Sequence, residues 1–382
     1  MYVLNNIDKE FFLAEVWQKK PLVIRQGFKQ FVDPLDEHEL AGLAQEDDID
    51  SRIVACDNDK WDVSHGPFDD FENVCLGAWS LLVQSVDLQI PNADALMRAF
   101  DFIPHWRMDD LMVSFSNQHA GVGPHFDQYD VFIVQGKGSR RWNVGARGSY
   151  SEHFPHPDLR QINDFEPLIS EVLFPGDVIY IPPGFPHNGV ALEECLNYSI
   201  GFRAPSQQEM LSSLADYSID NSLFTCRYAD TSISPRIFPG EIKIQEAASF
   251  KALLHQVIDS EHFSAWLASF LSQTQAGQRI EEHQSEQYSQ AEIEVMLNSG
   301  TTLIRQLATK AVCIEAERST NEELTYYIEG QSFSVPESEN FMVQSFLNSP
   351  EWNKKEKNDC HNSIFFTLFV TTLVNAGFWY PA

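Results

Sequence analysis

The sequence predicts a mainly β core, then a helical stretch, then a small α+β unit, and three observations carry that prediction. Between residues 105 and 205, short apolar runs alternate with Gly/Pro turns and no long helix separates them. From about residue 206 the apolar spacing becomes helical. After a polar, Gln- and Glu-rich tract at 272–290, the pattern is a helix, two strands and two helices, the outline of a small α+β or winged-helix unit. At 382 residues the chain has room for two or three domains. The divisions fall at 1–205, 206–275 and 276–382.

Each element follows from its pattern. Residues 8–18 have helical spacing, with Phe11, Phe12, Val16 and Trp17 apolar. Pro21 ends that helix and Leu22 to Ile24 starts a strand. Residues 34–43 read as a short helix, and 77–83 and 93–100 as further structure. The strand runs are LMVSF from 111, VFIVQ from 131, RWNV from 141, EVLF from 171, VIYI from 178 and LNYSIGF from 196. GVGP at 121, QGKGS at 135, PGD at 175 and PPG at 182 punctuate them. Such strands fold as an antiparallel barrel or jelly roll. Helical spacing returns over 206–224 and 250–270. The last unit should contain helices at 291–298, 339–347 and 363–375 and strands at 311–316 and 324–329.

Composition narrows the function. Hydrophobic residues make up 43% and aromatic residues 12%, enough for a packed core and against a disordered chain. No apolar run reaches the 18 or so residues that span a bilayer; the longest, at 364–374, is interrupted by Thr. The start, MYVLNNIDKEFF, lacks a basic segment, so no signal peptide and a cytoplasmic location are expected. Six scattered cysteines form no CxxC, which implies reduced thiols rather than disulfides or a cysteine zinc site. The net charge of −29 disfavours nucleic-acid and membrane surfaces and suits a basic partner.

The chemistry centres on Gly123-Pro124-His125-Phe126-Asp127. In an extended strand, residues two apart share a face, so His125 and Asp127 present an imidazole and a carboxylate together. PGDVIYIPPGFPH supplies His187 after a later strand and a proline-rich turn. Two histidines and one carboxylate on one face of an octahedron leave three positions open, for a bidentate 2-oxo acid and then O2. This is the facial triad of non-haem Fe(II) oxygenases. A buried structural histidine pair or a zinc hydrolase uses similar residues, but neither explains Arg140. That residue follows the Gly136-Lys137-Gly138 turn and alternates with Arg141, so one arginine faces inward. A fixed guanidinium can clamp the remote carboxylate of 2-oxoglutarate. Ser114 is expected to add a hydrogen bond, and Asn197 to meet the metal-side carboxylate. Asp110, Met112 and Ser114 share one strand face, as do Asn197 and Ser199. His153, His156 and His65 are expected to lie outside any metal site.

The segments WQKKPLVIRQGF, SHGPF, DDLMVSFS, GVGPHFDQYDVFIVQGKGSRRW, HFPHPDL, PGDVIYIPPGFPHNG and NYSIGFRAP together resemble the JmjC-type, cupin-like ribosomal oxygenases. The resemblance covers nearly the full length and is most specific over 105–205. It implies a double-stranded β-helix core, a helical dimerisation region at 206–275 and a C-terminal winged-helix domain at 276–382. It also implies a homodimer using Fe(II), 2-oxoglutarate and O2 to hydroxylate an arginine of a large-subunit ribosomal protein at its β-carbon. No catalytic residue is expected beyond the metal centre. Tyr129 should face inward beside the metal, and Asp110 should pair with the target guanidinium at the mouth, with Met112 and Ser199 completing the substrate contacts. A histidyl or small-molecule hydroxylase and a catalytically silent binding module are the competing readings.

Overall fold

The computed structural model describes residues 2–231, 233–274, 287–315, 323–355 and 363–382. Two compact units divide them, one running to Ala204 and the other from Pro205 to Ala382.

In the first unit, helices α1 (Lys9–Glu15), α2 (Glu37–Leu43) and α3 (Pro91–Met97) cover a large sheet. Its early strands are β1 (Leu22–Ile24), β2 (Ser51–Asp57), β3 (Lys60–His65), β4 (Ala78–Val83) and β5 (Met108–Ser116). Then come β6 (Asp130–Gln135), β7 (Arg140–Gly145), β8 (Glu152–His156), β9 (Leu159–Ile162) and β10 (Pro167–Leu173). The last are β11 (Val178–Ile181), β12 (His187–Ala191) and β13 (Cys195–Phe202). One sheet has the order β1-β11-β6-β13-β5-β4-β2-β3 and a second has β10-β7-β12. Val131, Ile133, Ile179 and Ile181 of the first pack against Trp142, Val144 and Leu173 of the second. This is the expected jelly roll.

The outer face of the large sheet forms the main core, where Phe12, Leu40 and Phe100 meet Phe132, Tyr180, Tyr198 and Phe202. Phe100 and Phe132 approach to 4.6 Å between ring centroids. Buried within it, Asp130 accepts hydrogen bonds from Arg107 (2.9 Å), Tyr180 (2.5 Å) and Gln18 (2.9 Å), so its charge is compensated. A capping box starts α2: Asp36 accepts from the Glu39 N–H, and Glu39 accepts from the Asp36 N–H, both at 2.9 Å.

The sequence reading missed the β2–β3 hairpin. Asn58 and Asp59 link these strands with φ of 50° and 60°, the two left-handed positions of a type I′ turn. The first helix is also shorter than expected, ending at Glu15; the Gln18 N–H turns instead to the Tyr180 hydroxyl at 2.7 Å.

The second unit begins with α4 (Gln207–Asp220), α5 (Ile244–Ile258), α6 (His262–Ser272) and α7 (Gln290–Ser299). The expected stretch at 250–270 is therefore two helices. Asp259 and Ser260 break it, the Ser260 hydroxyl donating to the Val257 carbonyl at 2.8 Å. Strands β14 (Leu303–Arg305), β15 (Ala311–Cys313), β16 (Glu323–Ile328) and β17 (Gln331–Pro336) follow. The chain closes with α8 (Asn340–Leu347), β18 (Glu351–Trp352), α9 (Ile364–Asn375) and β19 (Trp379–Pro381). Ile293, Leu297, Phe346, Trp352, Val370 and Trp379 form their core. The expected strand at 311–316 ends at Cys313. Residue 316 and residues 275–286 of the polar tract lie outside the described residues. Among the described residues, no helix is long and apolar enough to cross a membrane.

Candidate metal centre

The histidines are brought together by backbone pairing. The His125 N–H donates to the His187 carbonyl at 3.0 Å and the His187 N–H returns to the His125 carbonyl at 2.8 Å. This isolated bridge sets the two rings 4.3 Å apart. The expected strand around His125 and Asp127 is thus corrected: only His125 pairs, and Asp127 lies in the following loop. The Asp127 carbonyl accepts from the Gly184 N–H at 2.7 Å, so the PPG turn fixes that loop. The outcome matches the chemistry expected. One ligand atom from each of His125, Asp127 and His187 lies within 4.8 Å of the others, and the His187 Nε2 stands 3.6 Å from the Asp127 carboxylate.

Both rings are oriented alike. His125 Nδ1 meets the Gly123 carbonyl at 3.0 Å and His187 Nδ1 meets the Phe185 carbonyl at 3.1 Å. A carbonyl only accepts, so Nδ1 carries the proton and Nε2 keeps its lone pair for a metal. Gly123 makes this possible with a φ of +80°; a Cβ there would strike the Gln161 side chain. Burial, then the neighbouring His125, push the His187 pKa down to about 4, with Asp127 opposing. The ring is therefore neutral and ready to ligate.

A cavity of about 280 Å³ opens from the triad between the two sheets. Arg140 projects into it from β7 and is only 5% exposed. In the β7–β12 register His187 pairs with Val144 and Ala191 with Arg140. Four residues along a strand is about 13 Å, a span that Arg140's long side chain shortens. The guanidinium donates to Ser116, whose hydroxyl lies 2.7 Å from that of Ser80. Arg140 Nε has no partner, and no carboxylate among the described residues pairs with this charge. Leaving a buried charge uncompensated costs about 3–5 kcal/mol. The cavity is therefore short of an anion at one end and of a cation at the other. A metal and a chelating dicarboxylate fit that donor set.

The other expected residues fall as follows. Ser114, Asn197, Met112 and Ser199 line the cavity from adjacent strands, with Asn197 opposite Ser114 and Ser199 opposite Met112. Asn197 is held by a 2.8 Å hydrogen bond to Gln135. Tyr129 lines the cavity together with the triad, and is 40% exposed. Solvent reaches its ring; burial, then the charges of Asp127, Asp110 and Asp109, hold its hydroxyl protonated, with Arg52 opposing. Asp110 is outside the cavity wall, one alternation beyond Met112 and facing Gly201. His65 and His156 instead approach Asp158, at 3.5 and 3.8 Å. The sequence reading missed Ser116, Ser80 and Arg52. Ser116 was available, since it continues the alternation of Met112 and Ser114.

Comparison with known proteins gives a consistent result. Residues 95–210 match the JmjC domain family and residues 252–380 the ROXA-like winged helix. The chain is 40% identical to the Escherichia coli ribosomal protein uL16 3-hydroxylase, over 97% of this chain and 96% of that protein. It is also 40% identical to a probable ribosomal oxygenase of Haemophilus influenzae, over 55% of this chain and 53% of that one. The crystal structure of E. coli YcfD superposes with a TM-score of 0.89 at 39% identity, covering 100% of both chains. The YcfD ribosomal oxygenase in complex with cobalt and 2-oxoglutarate gives 0.86 at 37% identity, covering 100% of this chain and 99% of that one. The chain belongs to the JmjC-type ribosomal oxygenases.

Proposed function

We propose that this chain is an Fe(II)- and 2-oxoglutarate-dependent oxygenase that hydroxylates ribosomal protein uL16, at the β-carbon of an arginine side chain. The observation that carries the reading is Arg140: a buried guanidinium without a counter-ion, in the same cavity as two histidine Nε2 atoms and a carboxylate. The activity of the E. coli relative supports uL16 as the substrate.

In this reading His125, Asp127 and His187 hold the metal on one face and leave the facing positions open. Fe(II) held there would activate O2, the oxidant, which places one oxygen atom in the C–H bond and the other in the succinate formed as 2-oxoglutarate loses CO2. The protein's part is placement. Arg140 and Ser116 hold the remote carboxylate, and Ser114 and Asn197 stand beside the chelating end. Trp142, Val131 and Ile133 keep that region dry. Met112, Ser199 and Tyr129 receive the target side chain, and Asp110 offers its guanidinium a counter-charge just outside the cavity wall. The acidic chain, at −29, draws a basic ribosomal protein rather than nucleic acid. A cytoplasmic location belongs to this reading, as does a homodimer formed through the helical segment at 206–275. Exposed Leu211, Ile219, Leu254 and Ile258 in that segment support the dimer.

Incubation with Fe(II), 2-oxoglutarate and uL16, read by mass spectrometry, tests the function. A gain of one oxygen, about 16 Da, on an arginine and dependent on every component is the expected result. Turnover of 2-oxoglutarate without any change in uL16 refutes the substrate. No turnover at all favours a silent binding module.

A further inference from the structure

Arg52 is a second cation in the cavity wall without a carboxylate partner among the described residues. It sits on β2, where it pairs with Leu82 of β4, which in turn pairs with Ser114 of β5. Arg52 thus continues the inward-facing row that runs from Asn197 through Ser114, two strands or about 10 Å further out. Its Nε is buried and unsatisfied, and its guanidinium makes no hydrogen bond or ion pair among the described residues. Arg25, Arg98, Arg107 and Arg236 all find carboxylates. In a chain with 55 acids and 26 bases, Arg52 thus presents free donors to the cavity, where a ligand can meet them.

The ligand must offer acceptors, because a guanidinium has five N–H donors and no acceptor. A basic protein segment has few carboxylates, but it offers a carbonyl oxygen at every residue. Arg52 also repels a cationic side chain, so the target guanidinium is not its partner and a neutral acceptor of the same segment is. We propose that Arg52 binds main-chain carbonyl oxygens of the target segment, anchoring the peptide while its reactive side chain reaches the metal centre. This rests on the protein-hydroxylase reading above.

The test uses the full-length protein and a fluorescent uL16 peptide containing the target arginine. Arg52→Ala should weaken peptide binding by about 10- to 100-fold, the loss of charged hydrogen bonds. Arg52→Lys should recover only part of it, since an ammonium cannot make the paired contact. The loss should fall on the peptide and not on 2-oxoglutarate affinity, at an unchanged melting temperature. Replacing peptide amides one at a time by esters, which are weaker acceptors, should expose a position that costs the wild type affinity but not Arg52→Ala. Peptide affinity within twofold of wild type in Arg52→Ala overturns the proposal. So does a loss confined to 2-oxoglutarate. Binding is read without turnover, so a wild type that binds the peptide but leaves it unmodified refutes the hydroxylase reading while the Arg52 contact is still scored. A wild type that does not bind the peptide overturns both.

Discussion

On β13, Leu196, Tyr198, Ile200 and Phe202 face outward into the aromatic core, while Asn197 and Ser199 face inward to the cavity. The same alternation runs through β5, with Leu111, Val113 and Phe115 on one side and Met112, Ser114 and Ser116 on the other. The outer face has its polar groups compensated, as at Asp130. The inner face keeps unpaired donors on Arg140 and Arg52. One set of strands therefore separates stability from chemistry by the direction of each side chain. Burial of the outer face stabilises the strands, so that the inner face can carry groups that ligands satisfy.

The largest effect that sharpens this contrast is on activity. Asp127→Ala or His187→Ala should abolish hydroxylation, well beyond the roughly 10- to 100-fold expected of a change outside the ligand shell. Both should melt as cooperatively as the wild type. Near-normal hydroxylation in either variant removes that residue from the ligand set. On the other face, Phe132→Ala should cost about 3–5 kcal/mol in urea unfolding, whereas Ser199→Ala should change stability by under about 1 kcal/mol. Equal costs would break the comparison.

A third effect comes from acid. The His187 pKa is about 4 when folded and near 6.5 when unfolded, so the unfolded chain binds the extra proton between those values. The metal-free protein should lose roughly 3 kcal/mol as pH falls from about 6.5 to 4. His187→Gln should flatten that part of the pH–stability curve, and an unaltered slope would assign the effect elsewhere. Arg140→Leu comes next. It removes an unpaired buried charge, so the free protein should gain about 1–4 kcal/mol while 2-oxoglutarate binding falls at least 10-fold. Destabilisation instead would mean that Arg140 is compensated in the folded protein. The smallest change is Ser116→Ala, with at most about a 10-fold loss in 2-oxoglutarate affinity, measured by titration calorimetry. No loss would confine Ser116 to holding the guanidinium.

Much of this site is legible in the sequence because strand alternation is local. Arg140 buried beside exposed Arg141, and Ser114 and Asn197 facing inward, follow directly from a period of two. Where alternation was extended beyond its strand it misled. The segment from Asp127 to Tyr129 is a loop and not the continuing strand that alternation assumed, although Tyr129 still lines the cavity. Asp110 keeps its face on β5 but lies past the cavity wall. The β2–β3 hairpin had its signal in Asn58-Asp59, and missing it hid Arg52.

The sequence by itself determined the jelly roll, the ligand types and the inward arginine, since these depend on residue chemistry and on spacing of two along a strand. Only the tertiary structure decided that His125 and His187, 62 residues apart in the numbering, are joined by a reciprocal pair of backbone hydrogen bonds. It alone showed that Arg140 and Arg52 have no carboxylate among the described residues and leave a buried Nε–H without an acceptor. A missing partner is a property of everything packed around a charge, and no local pattern in the chain encodes it.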